Sequence, residues 1–282
     1  MYLVEFLNVG FGLSVVMRKA DNSHVIVVDC GDDKASIYDQ KERRRVSEYL
    51  SQTGIRTVDL LIITHEHDDH IGGLEKLLQQ CEIRECWHGC LSPVHRHNLQ
   101  AHHIATKLIA DKAAISIDTW TLTVFQPDPL KAERINQVMH AGTHEGDAAI
   151  GEKLNECSLG VFLSGDQGKA LITSDIPSDY WEEKADLYHQ VHVLQAPHHG
   201  DTQALPAVLL TCAQLQWIVV SADDEGTWEL PSADFETHVK KYAPHAQVVK
   251  TAEKNSGCDH SGVRFVFTEN EAWQESLICV KS

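Results

Sequence analysis

Within Thr64-His65-Glu66-His67-Asp68-Asp69-His70-Ile71-Gly72-Gly73-Leu74, four potential metal ligands fall in six residues: His65, His67, Asp69 and His70. His65 and His67 lie two apart, so in an extended turn their imidazoles can converge on one ion. Asp69 and His70 follow on the next bend and can face a second ion. Imidazole nitrogen and carboxylate oxygen bind zinc at about 2.0–2.2 Å, and a catalytic site leaves one position for water. Manganese or iron also suits a carboxylate-rich set. Gly72 and Gly73 allow a following helix to approach the loop closely. A solvent-facing polar turn explains this density of ligands poorly, because the run comes directly after the apolar stretch Val58–Ile63. No Ser-His-Asp elbow and no phosphate-cradling glycine loop is apparent, which leaves metal-activated hydroxide as the nucleophile of choice.

Positioning such a cluster requires strands that end at it. Val4–Leu7 and Leu13–Met17 have strand character and are joined by Gly10-Phe11-Gly12. His24–Val28 is a β-branched run that ends at Asp29. Apolar residues at helical spacing predict a helix over residues 37–51, closed by Gly54. Val58–Ile63 is nearly continuous in apolar residues, the mark of a strand buried on both faces. A short helix ends near Gln80, and Glu82–His88 reads as a strand. A histidine-rich helical middle is expected between Leu91 and Asp118. Further strands are expected at Trp120–Gln126, Ser158–Ser164, Lys169–Thr173, Val191–Gln195, Trp217–Ser221, Gln247–Lys250 and Val263–Phe267. Helices are expected at Ser178–Tyr188, Pro206–Cys212 and Ser232–Tyr242. Strands interleaved with helices predict an α/β or α+β sandwich.

The chain has 282 residues, 43% hydrophobic and 23% charged, which is ordinary globular composition. Without repeats or linker-like tracts, residues 1–282 read as one domain. No run of 18 apolar residues is present, and the N-terminus lacks the basic start of a signal peptide, so a cytoplasmic location away from membranes is expected. The eight cysteines then read as reduced thiols. Cys86-Trp87-His88-Gly89-Cys90 lacks a second ligand pair at zinc-ribbon spacing and reads as small buried residues. A net charge of -17 offers no basic footprint for duplex DNA. The one dense basic run, Arg43-Arg44-Arg45, is equally a solvated helix face.

The His-x-His-x-Asp-His pattern resembles the signature of the metallo-β-lactamase superfamily. More narrowly, the chain resembles the soluble hydrolase domain of the DNA-uptake (competence) channel proteins of bacteria. The likeness rests on four further blocks: residues 6–14, Val27-Val28-Asp29-Cys30-Gly31, residues 170–176 and Gln195-Ala196-Pro197-His198-His199-Gly200. It implies an αββα sandwich of two mixed sheets flanked by helices, holding two divalent metal ions, with zinc the first expectation. It also implies a metal-bearing role for Asp175, whose carboxylate would bridge the ions. Read from the residues, Asp175 ends an apolar strand, where it can bridge two cations or cap a helix after Pro177. One of His198 and His199 can ligate metal while its neighbour contacts a phosphate. Asp29, at a strand end, suits holding a ligand histidine by its other ring nitrogen. Where many members carry another histidine, this chain has Leu154-Asn155-Glu156-Cys157-Ser158, so Asn155 and Ser158 are candidates for contact with metal, water or substrate. His140 and His144 are alternative ligands, more simply explained as exposed loop histidines. Phe11 and Leu13 replace polar residues usual in that group, and Leu230-Pro231 stands where it often has His-Pro.

The resulting expectation is a hydrolase whose metal-bound hydroxide attacks a phosphodiester, with Asp69 or a neighbouring ligand orienting the nucleophile. Nucleic acid or a nucleotide would be the substrate, and the net charge would then call for a basic protein partner. A small-molecule ester, thioester or lactam hydrolase is the second expectation, and a metal-stabilised non-catalytic subunit the third.

Overall fold

The computed structural model describes residues 1–39, 42–141, 153–166, 168–182, 191–211, 215–252, 260–267 and 274–279. The first half contains β1 (Tyr2–Leu7), β2 (Val15–Lys19), β3 (Val25–Val28), α1 (Val46–Gln52), β4 (Thr57–Val58), β5 (Leu60–Ile63), α2 (Asp68–Ile71) and α3 (Leu74–Gln80). It continues with β6 (Glu82–Ile83), β7 (Glu85–His88), α4 (Pro93–Ala101) and β8 (Ala105–Leu108). The second half contains β9 (Lys112–Ile117), β10 (Trp120–Phe125), α5 (Pro129–Ala141), β11 (Gly160–Gly165), β12 (Gly168–Ile172), α6 (Ser178–Glu182) and β13 (Val193–Gln195). After it come α7 (Ala207–Thr211), β14 (Trp217–Val220), α8 (Phe235–Tyr242), β15 (Gln247–Lys250), β16 (His260–Phe267) and β17 (Gln274–Cys279).

These form an eight-stranded sheet, ordered β17-β16-β1-β2-β3-β5-β7-β8, and a seven-stranded sheet, ordered β15-β14-β13-β12-β11-β10-β9. The first sheet is antiparallel from β17 to β3 and parallel from β3 to β8. The second is antiparallel from β9 to β12 and parallel from β12 to β15. Strand period two divides the apolar residues between layers. Ile26, Val28, Leu60 and Ile62 point into the core between the sheets, together with Phe6, Val161 and Val193. Val25, Val27, Leu61 and Ile63 point outward and are covered by Tyr49 and Leu50 of α1 and Leu74 and Leu77 of α3. Leu194 and Val220 on the second sheet are covered by Trp181, Leu209 and Phe235 of α6, α7 and α8. The architecture is therefore the expected αββα sandwich, with helices on both outer faces.

Several elements differ from the sequence reading. Residues 37–51 do not form one helix: a 3-10 turn at Ala35–Asp39 is separated from α1, which starts at Val46. Residues 58–63 are split at Asp59, whose Oδ2 accepts from Val25 N at 2.8 Å. The helical middle of residues 91–118 is only α4, and β8 and β9 follow it. Helix α5 places His140 on an exposed helical position rather than in a loop. His144 lies outside the described residues. Cys86 packs in the cluster beneath α1 and α3 while Cys90 packs beside α5, so that pair converges on nothing.

Candidate metal centre

The ligands of the His65–His70 loop, together with Asp175, His198 and His199, sit just beyond the carboxyl end of a parallel strand, where open α/β sheets present ligands. Asp29 follows β3 and residues 64–70 follow β5 on the first sheet; Asp175 follows β12, and His198 and His199 follow β13 on the second. The tight bends need unusual backbone: Asp29, Ser174, His198 and His199 all have positive φ, at 56°, 48°, 46° and 55°. Such strain in residues with a side chain costs of the order of 1–3 kcal/mol each and persists where the surroundings enforce it. In the Pro197–Gly200 turn it sends neighbouring imidazoles to different places. His199 is 1% exposed, whereas the His198 side chain is 35% exposed at the mouth of the centre.

Two groups of donor atoms result. His65, His67 and Asp175 form one, and Asp69, His70 and His199 the other, with the atoms of each within 4.8 Å of one another. His65 Nε2 lies 3.0 Å from His67 Nδ1. His199 Nε2 lies 3.0 Å from Asp69 Oδ2 and 3.4 Å from His70 Nε2. Between the groups stands Asp175 Oδ2, which is 3.4 Å from His70 Nε2 and 3.7 Å from both His65 Nε2 and His199 Nε2. Asp175 Oδ1 is buried without a hydrogen-bond partner. A buried carboxylate oxygen left unmatched is costly unless a cation completes it, and the nitrogen and oxygen donors around it are those of divalent metal sites. The residues present therefore fit two metal ions.

Outer contacts fix the rings. Asp29 Oδ1 accepts from Thr64 N at 2.8 Å, and Oδ2 accepts from the Thr64 hydroxyl at 2.6 Å and from His70 Nδ1 at 2.8 Å. His70 thus presents Nε2 inward. His199 Nδ1 donates to the Ser221 carbonyl at 2.7 Å, which likewise turns Nε2 inward. His65 Nδ1 lies 3.1 Å from both the Ser158 and the Thr64 hydroxyls. Asn155 Nδ2 lies 3.4 Å from His198 Nε2, and Asn155 Oδ1 is buried without a partner. The Glu66 side chain is buried and accepts from Ser92 N and His95 Nδ1, both at 2.7 Å. Asp68 is exposed.

Charge follows burial. Complete burial, reinforced by His70 and His67, holds His65 well below the ordinary imidazole value, leaving it in its ligating form. Burial opposes charge on His70 and His199 too, but Asp175 and Asp69 outweigh it and both are raised. The same attractions overcome burial at Asp69 and Asp175 and hold both carboxyls down, ready as anionic ligands. At Asp29 burial wins over His70 and Thr64 and raises the carboxyl.

Several contributors had no signal in their residue types. Thr64 and Ser174 join hydroxyls at 2.8 Å across the two sheets, and Ser221 Oγ donates to Gly12 O at 2.7 Å. Phe11 packs against His199 with ring centroids 4.5 Å apart and planes tilted by 44°, and Asp201 Oδ2 lies 3.2 Å from His198 Nδ1. Beside the donor groups opens a cleft of about 840 Å³, lined among others by Phe11, Asp69, Asp175, His198 and Trp228.

Parts of the sequence, and the fold, are shared with known proteins. The chain is similar to hydroxyacylglutathione hydrolase of Idiomarina loihiensis, at 31% identity over 61 residues, 21% of this chain and 24% of that protein. It is 39% identical over 64 residues to hydroxyacylglutathione hydrolase of Shewanella halifaxensis, 23% of this chain and 20% of that protein. The match thus spans only about a quarter or less of those curated relatives. In fold it resembles the metallo-beta-lactamase fold protein YhfI of Bacillus subtilis, with TM-score 0.52 and 12% identity, covering 94% of this chain and 99% of that one. The model of the Metallo-beta-lactamase superfamily matches residues 7–220, and the chain belongs to that superfamily.

Proposed function

We propose that this chain is a dinuclear metal-dependent hydrolase that cleaves a small phosphodiester. The observation that carries the reading is Asp175 Oδ2, within 3.4–3.7 Å of His65, His70 and His199 and thus shared by both donor groups. His65, His67 and Asp175 would hold one ion and Asp69, His70 and His199 the other. Two such ions supply a nucleophile at neutral pH and neutralise charge that develops on the reacting oxygens. Asp69, ionised and 20% exposed in its side chain, accepts a hydrogen bond from the attacking water and orients it toward phosphorus. His198 faces the cleft, braced by Asp201, and is placed to donate to the departing oxygen as the phosphorus–oxygen bond breaks. Asn155 Nδ2 beside it is a donor for a phosphoryl oxygen. Phosphodiester specificity is supported by the likeness of residues 6–14, 27–31, 170–176 and 195–200 to the hydrolase domain of DNA-uptake proteins. Polymeric nucleic acid would call for a basic partner, given a net charge of -17.

A second reading, hydrolysis of an acylated glutathione thioester, is favoured by the names of the two curated relatives. The test measures metal content and turnover together on purified protein, with zinc, manganese and iron supplied separately. Bis-p-nitrophenyl phosphate and single-stranded DNA are set against S-lactoylglutathione and nitrocefin. Two metals per chain, with phosphodiester cleavage lost in Asp69→Ala and His70→Ala, is the expected result. Cleavage confined to the thioester would replace the first reading with the second.

A further inference from the structure

We infer that the cleft beside the metal centre selects a small substrate whose non-scissile end is an ammonium group, seated on Trp228 and paired with Glu229. The inference rests on the hydrolase reading for what happens at the metals, and on the cleft wall for what is bound beyond them.

Of the 21 residues lining the cleft, eight are Asp or Glu and two are Lys or Arg. Asp69 and Asp175 belong to the donor groups, which leaves six carboxylates on the wall against Lys34 and Arg43. Both cations are already engaged: Lys34 Nζ lies 2.8 Å from Asp32, and Arg43 Nη2 lies 3.2 Å from Asp224 and 3.4 Å from Glu225. The cleft opens directly onto Asp69, Asp175 and His199 of the two donor groups, so a group bound at that end would face the ions they would hold. A single anionic group fits there against two divalent ions. A second anion farther out would meet a wall on which carboxylates outnumber cations, whereas a cation would be drawn in.

Trp228 also lines the cleft and is 81% exposed, whereas Trp87, Trp120 and Trp181 are buried. Its indole has no ring or hydrogen-bond partner among the described residues. Asp223, 8% exposed, holds the loop that presents it: Oδ1 accepts from Glu225 N and Thr227 N, and Oδ2 from the Thr227 hydroxyl. The next residue, Glu229, has no ion-pair partner among the described residues and also lines the cleft. An indole and a carboxylate lining one cleft are the two groups that attract alkylammonium ions, the first through its ring quadrupole and the second by charge.

The test uses two p-nitrophenyl phosphodiesters that differ only at the second ester group: choline, or its uncharged carbon isostere 3,3-dimethylbutanol. With the metal-loaded full chain, the choline ester is expected to show a KM about tenfold lower. Trp228→Leu or Glu229→Gln should shrink that gap, through the KM of the choline ester. Equal KM values for the two esters in the unaltered protein would overturn the proposal while leaving the hydrolase reading intact. Tetramethylammonium chloride titrated against tryptophan fluorescence at constant ionic strength gives a second readout that needs no turnover. A saturable change in the unaltered protein, weakened in Glu229→Gln, which keeps the indole reporter, supports the ammonium site even if neither ester is cleaved. No saturable change, or the same change in both proteins, overturns it.

Discussion

At the scale of single residues, the centre depends on acidic side chains that hold imidazoles in one tautomer. Asp29 Oδ2 receives His70 Nδ1 at 2.8 Å, so Asp29→Asn sets an amide against that nitrogen and disturbs the ligating tautomer. Metal affinity should fall about 10–100-fold, read by competition with a chromophoric chelator. Protons compete for the same positions. His70 and His199 are raised above the ordinary imidazole value because Asp175 and Asp69 outweigh burial. In metal-free protein their protonated pairing adds stability that is complete below about pH 6.5 and is lost as pH climbs through the raised values. The increase in Tm on adding metal should therefore widen from pH 6.5 to 8.5, because metal takes over as protons leave. A gain that narrows over that range would contradict the arrangement. His65, His67, Asp69 and His70 were legible because they crowd one short loop, and Asp175, His198 and His199 because each follows an apolar strand. Thr64, Ser174 and Ser221 were not, since a hydroxyl or carbonyl that braces a ligand from another strand leaves no local pattern.

At the scale of elements, close approach and buried charge set the register on which the centre depends. Gly12 has φ 133°, and a Cβ there would lie 2.4 Å from the Asp69 carbonyl oxygen. Gly12→Ala should push the β1–β2 turn away from the metal loop, costing about 1–3 kcal/mol in urea unfolding and weakening the group that contains Asp69. On the outer face of the first sheet, fully buried Glu5 accepts from Arg18 at 2.9 and 3.1 Å and from Arg264 at 2.6 Å, joining β1, β2 and β16. Glu5→Gln leaves two guanidinium groups undercompensated and should cost about 3–5 kcal/mol, with a lower urea midpoint. An effect below about 1 kcal/mol would show that water reaches these groups freely. Strands buried on both faces, such as β5, announced themselves through continuous apolar runs. Edge strand β8 did not, because Ala105–Leu108 is largely exposed and carries no apolar face. Helix α5 was hidden for a related reason: its inward face is small, with Ala132 and Ile135 as buried apolar contacts.

At the scale of the whole molecule, charge decides which partners approach. A net charge of -17 and the acidic cleft wall repel polyanions, so salt should screen a repulsion rather than an attraction. Cleavage of single-stranded DNA, if present, should rise about threefold between roughly 50 and 200 mM salt, the reverse of proteins that bind phosphates through a basic groove. A steep fall would reveal a basic track that the cleft does not contain. The sandwich itself was legible from the alternation of strands and helices, while its pairing order was not, because β16 and β17 return from the far end of the chain to flank β1. The position of the centre has one more consequence. Its donors come in part from the first sheet and in part from the second, each donor group drawing on both. An ion in either group would thus be a clasp across the seam of the sandwich, and donors converge only after the two halves have docked in register. Metal uptake would then serve as an inspection of assembly: a chain with one half misplaced can offer at most fragments of a site. Stripping the ions should speed amide hydrogen exchange first along the seam at Thr64, Ser174 and Ser221, well before it reaches the helices on the outer faces.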